Sequence, residues 1–388
     1  MKISRISELI RHAYETAPGW RDWFQQNGID PQRIESESDL WRIPVLHKTD
    51  LPRLQQSNPP FGGLFAGEPE RIFLSPGPIY DPQPAGDDPW RFSKALAHAG
   101  FTGGDVVLNT FSYHLSPAGF MFDKALCSLK ATVIPAGVGN TELLVGMLRD
   151  LRVTGYVGTP SYLRALIQRA EETGLRVGED IPLCKAFFTA EPIPPDFPDW
   201  CAERRIRFGE AYGTADAGCL AYRNQQETGL QLEENVLVQV CDPETGQPVA
   251  EGEIGEMVIT VFDRQYPLIR FGTGDLSRWL PGQSDDRLAG VLGRVGDGIK
   301  VRGMFVYRQQ MERVLSVYPD VRCYRADVFS DGEKDVLQIS LEVPEATEND
   351  LLEKISEHLR QVLRVKAELR LVPPGSLDRS QNVLQDHR

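Results

Sequence analysis

The segment from Gly104 to Ala190 alternates strand-like and helix-like stretches, and this alternation limits the possible folds more than any other feature of the chain. Short β-rich runs such as DVVLNTF, ATVIPAG, GYVGT and CKAFFTA are separated by helical runs such as PAGFMFDKALCSL and SYLRALIQRAEETG. Strands that alternate with helices form a mostly parallel sheet flanked by helices, and ligands bind at the carboxyl ends of such strands. The sequence therefore predicts an α/β fold with functional residues in the loops that follow these strands.

The segments on either side have different patterns. Residues 1 to about 55 carry apolar residues at helical spacing and predict helices that form a surface module, while residues 230–280 show short alternating strands with Gly and Pro turns. Beyond them, strand and helix patterns predict a compact α+β unit. We expect a large N-terminal domain, residues 1–293, with mostly parallel sheets and a distorted antiparallel barrel, followed by a small mobile α+β domain, residues 294–388.

Composition and charge narrow the classes of function. The chain has 388 residues, 41% of them hydrophobic, which is enough apolar material for a large core or for two domains. Its formal net charge of -13 argues against nucleic acid or an anionic membrane as the main partner. No run of eighteen apolar residues occurs, the N-terminus is amphipathic, and the six cysteines lack metal-ligand spacing. These features predict a cytoplasmic protein with reduced thiols and no zinc site.

Several segments match one family in order and spacing. APGWRDWFQQNGIDPQRIESESDLWRIPVLHKTDL, NTFSYHLSPAGF and GTPSYLRALIQRAEETG resemble segments of phenylacetate-CoA ligases. AYGTADAG, YPLIRFGTGDLS and GRVGDGIKVRGMFVYRQQMERVL resemble the core motifs of adenylate-forming enzymes. The resemblance spans nearly the whole chain, and it implies an enzyme that activates a small carboxylic acid with ATP and Mg²⁺ and transfers it to coenzyme A.

The resemblance assigns roles to residues of the AYGTADAG loop. It implies that Tyr212 stacks near adenine beside Gly213, that the Thr214 hydroxyl meets the α-phosphate, and that Asp216 binds magnesium. The family usually has Glu at the last position, so Asp216 keeps the charge with a shorter reach. Lys300, in the IKVRG motif, is retained, and in relatives this motif faces the active site when the thioester forms. Thr214, Asp216 and Lys300 are the catalytic candidates.

The resemblance also implies nucleotide and substrate contacts elsewhere. Asp275 follows a Gly-Thr-Gly turn, where a carboxylate can accept from two ribose hydroxyls, and Arg294 matches the family's ribose-contacting arginine. The alternatives are a turn aspartate that caps its own backbone and an interdomain ion pair. Other candidates fall where the family lines the carboxylate and aryl pocket: Phe111, Tyr113 and His114 for substrate, and Glu191 for nucleotide. The aromatic residues among them could instead belong to the core.

Two segments depart from the family pattern. Where a Ser/Thr/Gly-rich loop ending in Lys should hold the phosphates, the chain reads LSPGPIYDP. Its prolines offer no N–H and Asp81 replaces the lysine, so that Ser75 and Gly77 remain as nucleotide-binding candidates. The C-terminal DRSQNVLQDHR lacks the lysine that the family uses in adenylation, and Gly296 occupies the usual hinge position.

These observations leave two hypotheses. The first is an AMP-forming carboxylic acid–CoA ligase of the phenylacetate-CoA ligase type. The second is a degenerate paralogue that has lost adenylation and either binds a nucleotide or acyl thioester or catalyses only the thioester step. A serine hydrolase fits less well because Ser75 lacks a GxSxG turn and His114 has no acid nearby in sequence. An aryl or alkyl substrate and a homodimeric assembly stay open.

Overall fold

The computed structural model of the chain describes residues 2–75, 78–283, 286–302, 304–331, 334–344, 349–363, 365–379 and 383–388. The α-helices of these residues are α1 (Lys2–Thr16), α2 (Pro18–Gln26), α3 (Glu37–Leu40), α4 (Leu51–Ser57), α5 (Phe92–His98), α6 (Ala118–Ser128), α7 (Thr141–Asp150), α8 (Pro160–Glu172), α9 (Phe197–Glu203), α10 (Arg308–Leu315) and α11 (Asn349–Leu363). Within the described ranges, no helix combines the length and apolar character that crossing a membrane requires.

The strands form separate sheets. They are β1 (Leu46–His47), β2 (Arg71–Ser75), β3 (Ile79–Gln83), β4 (Val106–Asn109), β5 (Thr132–Pro135), β6 (Gly155–Gly158), β7 (Lys185–Phe188), β8 (Arg207–Thr214), β9 (Gly218–Asn224), β10 (Leu230–Leu232), β11 (Val236–Cys241), β12 (Gly255–Val261), β13 (Leu268–Ser277), β14 (Arg287–Leu288), β15 (Gly293–Arg294), β16 (Gly298–Val301), β17 (Met304–Tyr307), β18 (Cys323–Asp331), β19 (Lys334–Glu342), β20 (Ala367–Val372) and β21 (Leu384–Asp386).

The largest sheet has the strand order β14-β10-β9-β8-β7-β6-β4-β5. The pairs β5–β4, β4–β6, β6–β7 and β7–β8 are parallel, while β8–β9, β9–β10 and β10–β14 are antiparallel. The alternation in the sequence is therefore confirmed as a parallel sheet with helices between its strands. Because parallel strands share a direction, the loops that follow β4, β7 and β8 lie at one edge of this sheet.

Helix α8 shows how the local sequence forms one of the connecting helices. The Thr159 side chain accepts a hydrogen bond from Tyr162 N, and Pro160 occupies the first turn, where its missing N–H has no cost. Leu163, Leu166 and Ile167 recur at helical spacing and are fully buried. The cap and the apolar stripe thus fix both the start of the helix and the face that covers the sheet.

A second sheet contains β1, β13, β12 and β11 in that order, with β15 paired to β13. The N-terminal helices contribute to the same hydrophobic cluster as these strands: Trp20 and Phe24 are fully buried in it, and Trp20 Nε1 donates to Pro267 O at 2.7 Å. The prediction that residues 1 to about 55 form a surface module is therefore wrong. The helices occur as predicted, but their apolar residues belong to the same hydrophobic cluster as the strands of this sheet.

The contacts divide the chain into two units. The larger contains Met1–Glu253, Met257–Thr273 and Arg278–Gly290, and the smaller contains Ile254–Glu256, Gly274–Ser277 and Val291–Arg388. In the smaller unit β20-β19-β18-β21 form a sheet, and residues between Val301 and Leu384 form its hydrophobic core with α10 and α11. A mixed α/β fold with a separate C-terminal α+β domain is thus confirmed, while the boundary near Gly293 stays a prediction.

Candidate active site

The loop between β8 and β9 carries the AYGTADAG motif at the carboxyl end of the parallel sheet. The Thr214 hydroxyl accepts a hydrogen bond from Ala217 N at 3.1 Å and so closes the turn, and Tyr212 is buried. Gly218 has φ +73°, and a Cβ there would lie 2.6 Å from Trp90 O, so only glycine fits. This tight turn holds the Asp216 side chain inside the protein, with none of its surface exposed.

Asp216 lies in a small buried group of charged residues. Lys48 Nζ donates to Asp216 Oδ2 at 2.6 Å, although the two residues are 168 positions apart in the chain. Asp81, on β3, is only 1% exposed, and burial together with the negative charge of Asp216 raises the pKa of Asp81 to about 7, against the lowering effects of Ser75 and Lys48. The carboxylate that replaces the expected loop lysine therefore lies beside the proposed magnesium ligand.

Of the altered phosphate segment, the structure describes Leu74 and Ser75 at the end of β2 and residues 78–82, which include Asp81. Strands β2 and β3 form an antiparallel hairpin in which Ser75 pairs with Ile79 and Phe73 pairs with Asp81. Ser75 is buried, and its hydroxyl influences Asp81. Gly77, predicted to contact nucleotide, lies outside the described residues.

The predicted substrate-pocket residues follow β4 at the same edge of the sheet, but their environments differ. Phe111 is buried and stacks on Phe122 with ring centroids 5.0 Å apart, as expected for a core aromatic. The Tyr113 hydroxyl donates to Asp123 Oδ2 at 2.9 Å, and burial followed by the Asp123 charge raises the pKa of Tyr113. His114 is exposed.

Glu191 follows β7 and contacts the start of α8. Its Oε1 accepts from Ser161 Oγ at 2.9 Å and its Oε2 accepts from Ser161 N at 3.3 Å. A carboxylate at a helix N-terminus is stabilised by the unpaired backbone N–H groups there. Glu191 is exposed. Its position joins the predicted TAEP and GTPSY motifs at one edge of the sheet.

Two predicted ribose contacts belong to the smaller unit. Arg294 Nε lies 3.1 Å from Asp275 Oδ1, and the two residues pair across β13 and β15. The Arg294 side chain is 76% exposed and that of Asp275 is 13% exposed. The pair is thus positioned with its guanidinium toward solvent. Lys300 lies on β16, and its side chain is outside the described residues.

Sequence reasoning did not assign a role to Lys48 or an environment to Asp81. Lys48 belongs to the HKTDL segment, which carries part of the resemblance. Asp81 is recognisable in the sequence only as the residue that stands where the family has a lysine. No spacing in the sequence links either residue to Asp216. The contact depends on the chain returning to this edge through β1 and the β2–β3 hairpin.

Magnesium is implied by the family, and the residues present fit it. Asp216 Oδ1 is buried, and no described residue offers it a hydrogen bond. Hard divalent cations prefer carboxylate oxygens, and Mg²⁺ commonly uses one or two carboxylates together with water and phosphate oxygens. Asp216 can therefore hold the ion, whose charge would neutralise phosphate oxygens.

Comparison with protein-family models gives two matches. The AMP-binding enzyme family matches residues 91–261, and the AMP-binding enzyme C-terminal domain matches residues 303–387. Curated relatives include the phenylacetate-coenzyme A ligase of Thermus thermophilus, 29% identical over 98% of this chain and 94% of that protein, and that of Aromatoleum evansii, 27% identical over 98% and 91%.

A solved structure extends the likeness to the fold. An open conformation of 2-hydroxyisobutyryl-CoA ligase, in complex with 2-HIB-AMP and CoA, superposes with a TM-score of 0.84 and 25% identity over 98% of this chain and 90% of that one. Both family models, the full-length relatives and this fold agree with the motifs described above. The chain belongs to the adenylate-forming superfamily of AMP-binding enzymes and is similar to the phenylacetate-CoA ligases within it.

Proposed function

We propose that the chain is an AMP-forming carboxylic acid–CoA ligase. A carboxylate oxygen attacks the α-phosphorus of ATP and pyrophosphate leaves; the coenzyme A thiolate then attacks the acyl carbon and AMP leaves, the thiol proton passing to solvent. The observation that carries this proposal is the similarity over 98% of the chain to phenylacetate-CoA ligases. The same similarity favours a ligase over a paralogue without the adenylation half.

The roles proposed for individual residues follow from their positions. Thr214 and Asp216 lie on a rigid turn at the carboxyl edge of the parallel sheet, where ligands bind in such folds. Thr214 would contact the α-phosphate, and Asp216 would hold Mg²⁺. Lys48 supports the same proposal because it brings a positive charge to Asp216 and close to Asp81, the residue at the position of the missing phosphate-loop lysine.

Asp275 and Arg294 are proposed to bind the ribose. The mostly buried carboxylate of Asp275 would accept from two hydroxyls, and the exposed Arg294 holds that carboxylate in place. Lys300 is proposed to act in the thioester step, as its motif does in relatives. The aryl nature of the acid, a cytoplasmic location and a homodimer belong to the same proposal; light scattering of the purified protein tests the last.

The experiment is product analysis by mass spectrometry. Purified protein is mixed with ATP, Mg²⁺, coenzyme A and a panel containing aryl acids, 2-hydroxyisobutyrate and short alkyl acids. We expect AMP and one CoA thioester in equal amounts, and acyl-adenylate when coenzyme A is omitted. Absence of AMP and thioester with every acid would contradict the ligase.

A pair of variants tests the ribose site in the same assay. Asp275→Asn should raise the KM for ATP by about tenfold, since it removes charge-assisted hydrogen bonds to the nucleotide. Asp87→Asn, a change of the same kind at an exposed position, should behave as the wild type. An unchanged KM in Asp275→Asn would show that Asp275 does not contact the ribose.

A further inference from the structure

The buried group around Asp216 has more carboxylate oxygens than hydrogen-bond donors. Asp81 is 1% exposed and Asp216 is 5% exposed. Among the described residues, none donates a hydrogen bond of ordinary geometry to either oxygen of Asp81 or to Asp216 Oδ1. Lys48 Nζ donates to Asp216 Oδ2. Of the described side chains, the Ser75 hydroxyl and the neighbouring carboxyl of Asp216 are the hydrogen-bonding groups close to Asp81, and they act on its pKa in opposite directions.

Other oxygen atoms surround the same place. The Tyr266 hydroxyl is buried without a hydrogen-bond partner in the described part of the chain. The buried Ser75 hydroxyl lies close enough to Asp81 to lower its pKa. Both carboxylates act on Tyr266, since burial and then the charges of Asp216 and Asp81 raise the pKa of its hydroxyl. Asp216 and Tyr266 also line one small cavity together with Trp90 and Arg91. Asp216 and Tyr266 therefore face a confined space, and Asp81 lies behind them, beside Asp216.

The charges of the cluster do not balance. Two carboxylates face one ammonium group, that of Lys48, and an unpaired buried carboxylate is strongly unfavourable. A proton or a cation must compensate it. A proton satisfies Asp81 in the protein alone, but it adds no positive charge for a ligand that carries phosphate.

We propose that Asp81 and Asp216 together hold a divalent cation of the magnesium class. This cation supplies the positive charge that a lysine supplies in the phosphate loop of relatives, at the position where this chain has Asp81. Within the described residues there is no group of three or more His, Cys, Asp or Glu side chains suited to a metal. Two carboxylates suit Mg²⁺, which keeps water molecules and accepts phosphate oxygens in its remaining positions.

The proposal that Asp81 binds a metal depends only on the geometry of the cluster. The proposal that this metal takes part in catalysis rests on the proposed ligase function. Asp81→Asn keeps the shape of the side chain, removes the charge and relieves a buried carboxylate, so the variant should fold. Asp87→Asn is the matched control because Asp87 is exposed and lies on the same segment of chain.

The experiment is a titration with Mn²⁺, without nucleotide, that follows the electron paramagnetic resonance signal of the free ion. We expect the wild type and Asp87→Asn to bind Mn²⁺ with the same affinity, competed by Mg²⁺, and Asp81→Asn to bind at least about tenfold more weakly. Thermal unfolding of the three proteins checks that each is folded. Unchanged Mn²⁺ affinity in folded Asp81→Asn overturns the proposal, as does a wild type that binds no Mn²⁺.

The thioester assay separates this inference from the ligase function. If the wild type forms thioester while its Mn²⁺ affinity does not depend on Asp81, the ligase stands and the cation site at Asp81 is wrong. If Mn²⁺ binding depends on Asp81 but no acid gives product, the cation site stands and the ligase is wrong.

Discussion

Arg270 is a fully buried arginine in a backbone conformation that non-glycine residues seldom adopt. It is 1% exposed and has φ +45°. Its guanidinium donates to Leu40 O at 3.3 Å and to Gly246 O, and burial lowers the pKa of the group. The residue ties the end of α3 and the loop after β11 to β13. It thus has a structural role within a segment that sequence similarity marks as a nucleotide motif.

Arg270→Ala should therefore destabilise the protein strongly. The change removes the guanidinium hydrogen bonds to Leu40 O and Gly246 O, of which Leu40 O still accepts from Ile43 N, and it opens a cavity. The two effects together cost about 2–4 kcal/mol of the free energy of unfolding. Urea unfolding followed by circular dichroism measures it. Arg264→Ala is the control because its side chain is 69% exposed, and it should change stability by less than about 0.5 kcal/mol. Equal effects of the two changes would rule out an anchoring role for Arg270.

The raised pKa of Asp81 predicts a pH dependence of stability. Its folded pKa of about 7 lies above the ordinary value of 3.8, so between these pH values the folded state binds a proton that the unfolded state lacks. The contribution of Asp81 to stability is therefore largest at low pH and is lost as pH rises toward 7. Asp216, Lys48 and Tyr266 are the titratable groups that face it.

Thermal unfolding at pH 5, 6, 7 and 8 tests this. Relative to Asp81→Asn, the wild type should gain stability as pH falls from 7 to 5, by at most about 1.4 kcal/mol per pH unit. Asp87→Asn should follow the wild type. Parallel curves for the wild type and Asp81→Asn would show that Asp81 is ionised in the folded protein.

The positions of single residues could be predicted from the sequence only where those residues belong to a recognisable motif. The position of Asp216 after a strand end followed from AYGTADAG, and the structure places it there. The Lys48–Asp216 contact spans 168 positions and no short motif contains it. Tyr113 was placed in the pocket by its neighbourhood in sequence, but the bond to Asp123 depends on how α6 returns past the end of β4.

At the scale of elements, a buried ion pair joins the beginnings of β4 and β7, the strands on either side of β6. Lys185, at the start of β7, donates to both oxygens of Asp105 at 2.7 Å, and Thr154, before β6, donates to Asp105 Oδ1 at 2.9 Å. Burial would raise the pKa of Asp105, but Lys185 and these hydrogen bonds hold it below its usual value. The group lies at the amino edge of the sheet, opposite the candidate active site, and should serve stability.

A double-mutant cycle measures this coupling. Lys185→Met leaves the Asp105 charge buried without its partner and should cost about 3–5 kcal/mol, whereas adding Asp105→Asn should recover part of that loss. Urea unfolding of the wild type, both single variants and the double variant gives the coupling energy. Additive effects would mean that the two charges stabilise the sheet independently.

The elements themselves were predictable where hydrophobic periodicity was strong. The strands and helices from β4 to β7 occur where the alternation predicted them, because β4, β6 and β7 are largely buried and the helices between them pack an apolar face on the sheet. The same reasoning predicted the N-terminal helices but not the surface against which they pack. Their amphipathic pattern shows that one face is buried, but it does not show which surface buries it, here the sheet that contains β13.

At the scale of the whole molecule, each unit has its own hydrophobic core. In the described residues, the cluster of the C-terminal unit runs from Val301 to Leu384, and no residue of it belongs to the clusters of the larger unit. The boundary near Gly293 stays a prediction, and the short strand β15 pairs with β13, which precedes that boundary in sequence. Residue patterns do not reveal such a pairing, since β15 has only two residues.

Two fragments therefore test the boundary. Fragment 1–297 keeps the β13–β15 pair, with Val295 N donating to Gly274 O at 2.8 Å and Arg294 paired to Asp275, whereas fragment 1–293 loses both contacts. Both should unfold cooperatively because their cores are complete. A backbone hydrogen bond and an exposed ion pair together contribute about 1–2 kcal/mol, so fragment 1–297 should melt about 2–6 °C higher in a calorimeter. Equal melting temperatures would show that residues 294–297 do not stabilise the larger domain and that it ends at Gly293. If fragment 1–297 had no cooperative transition, the larger unit would need the C-terminal residues to fold.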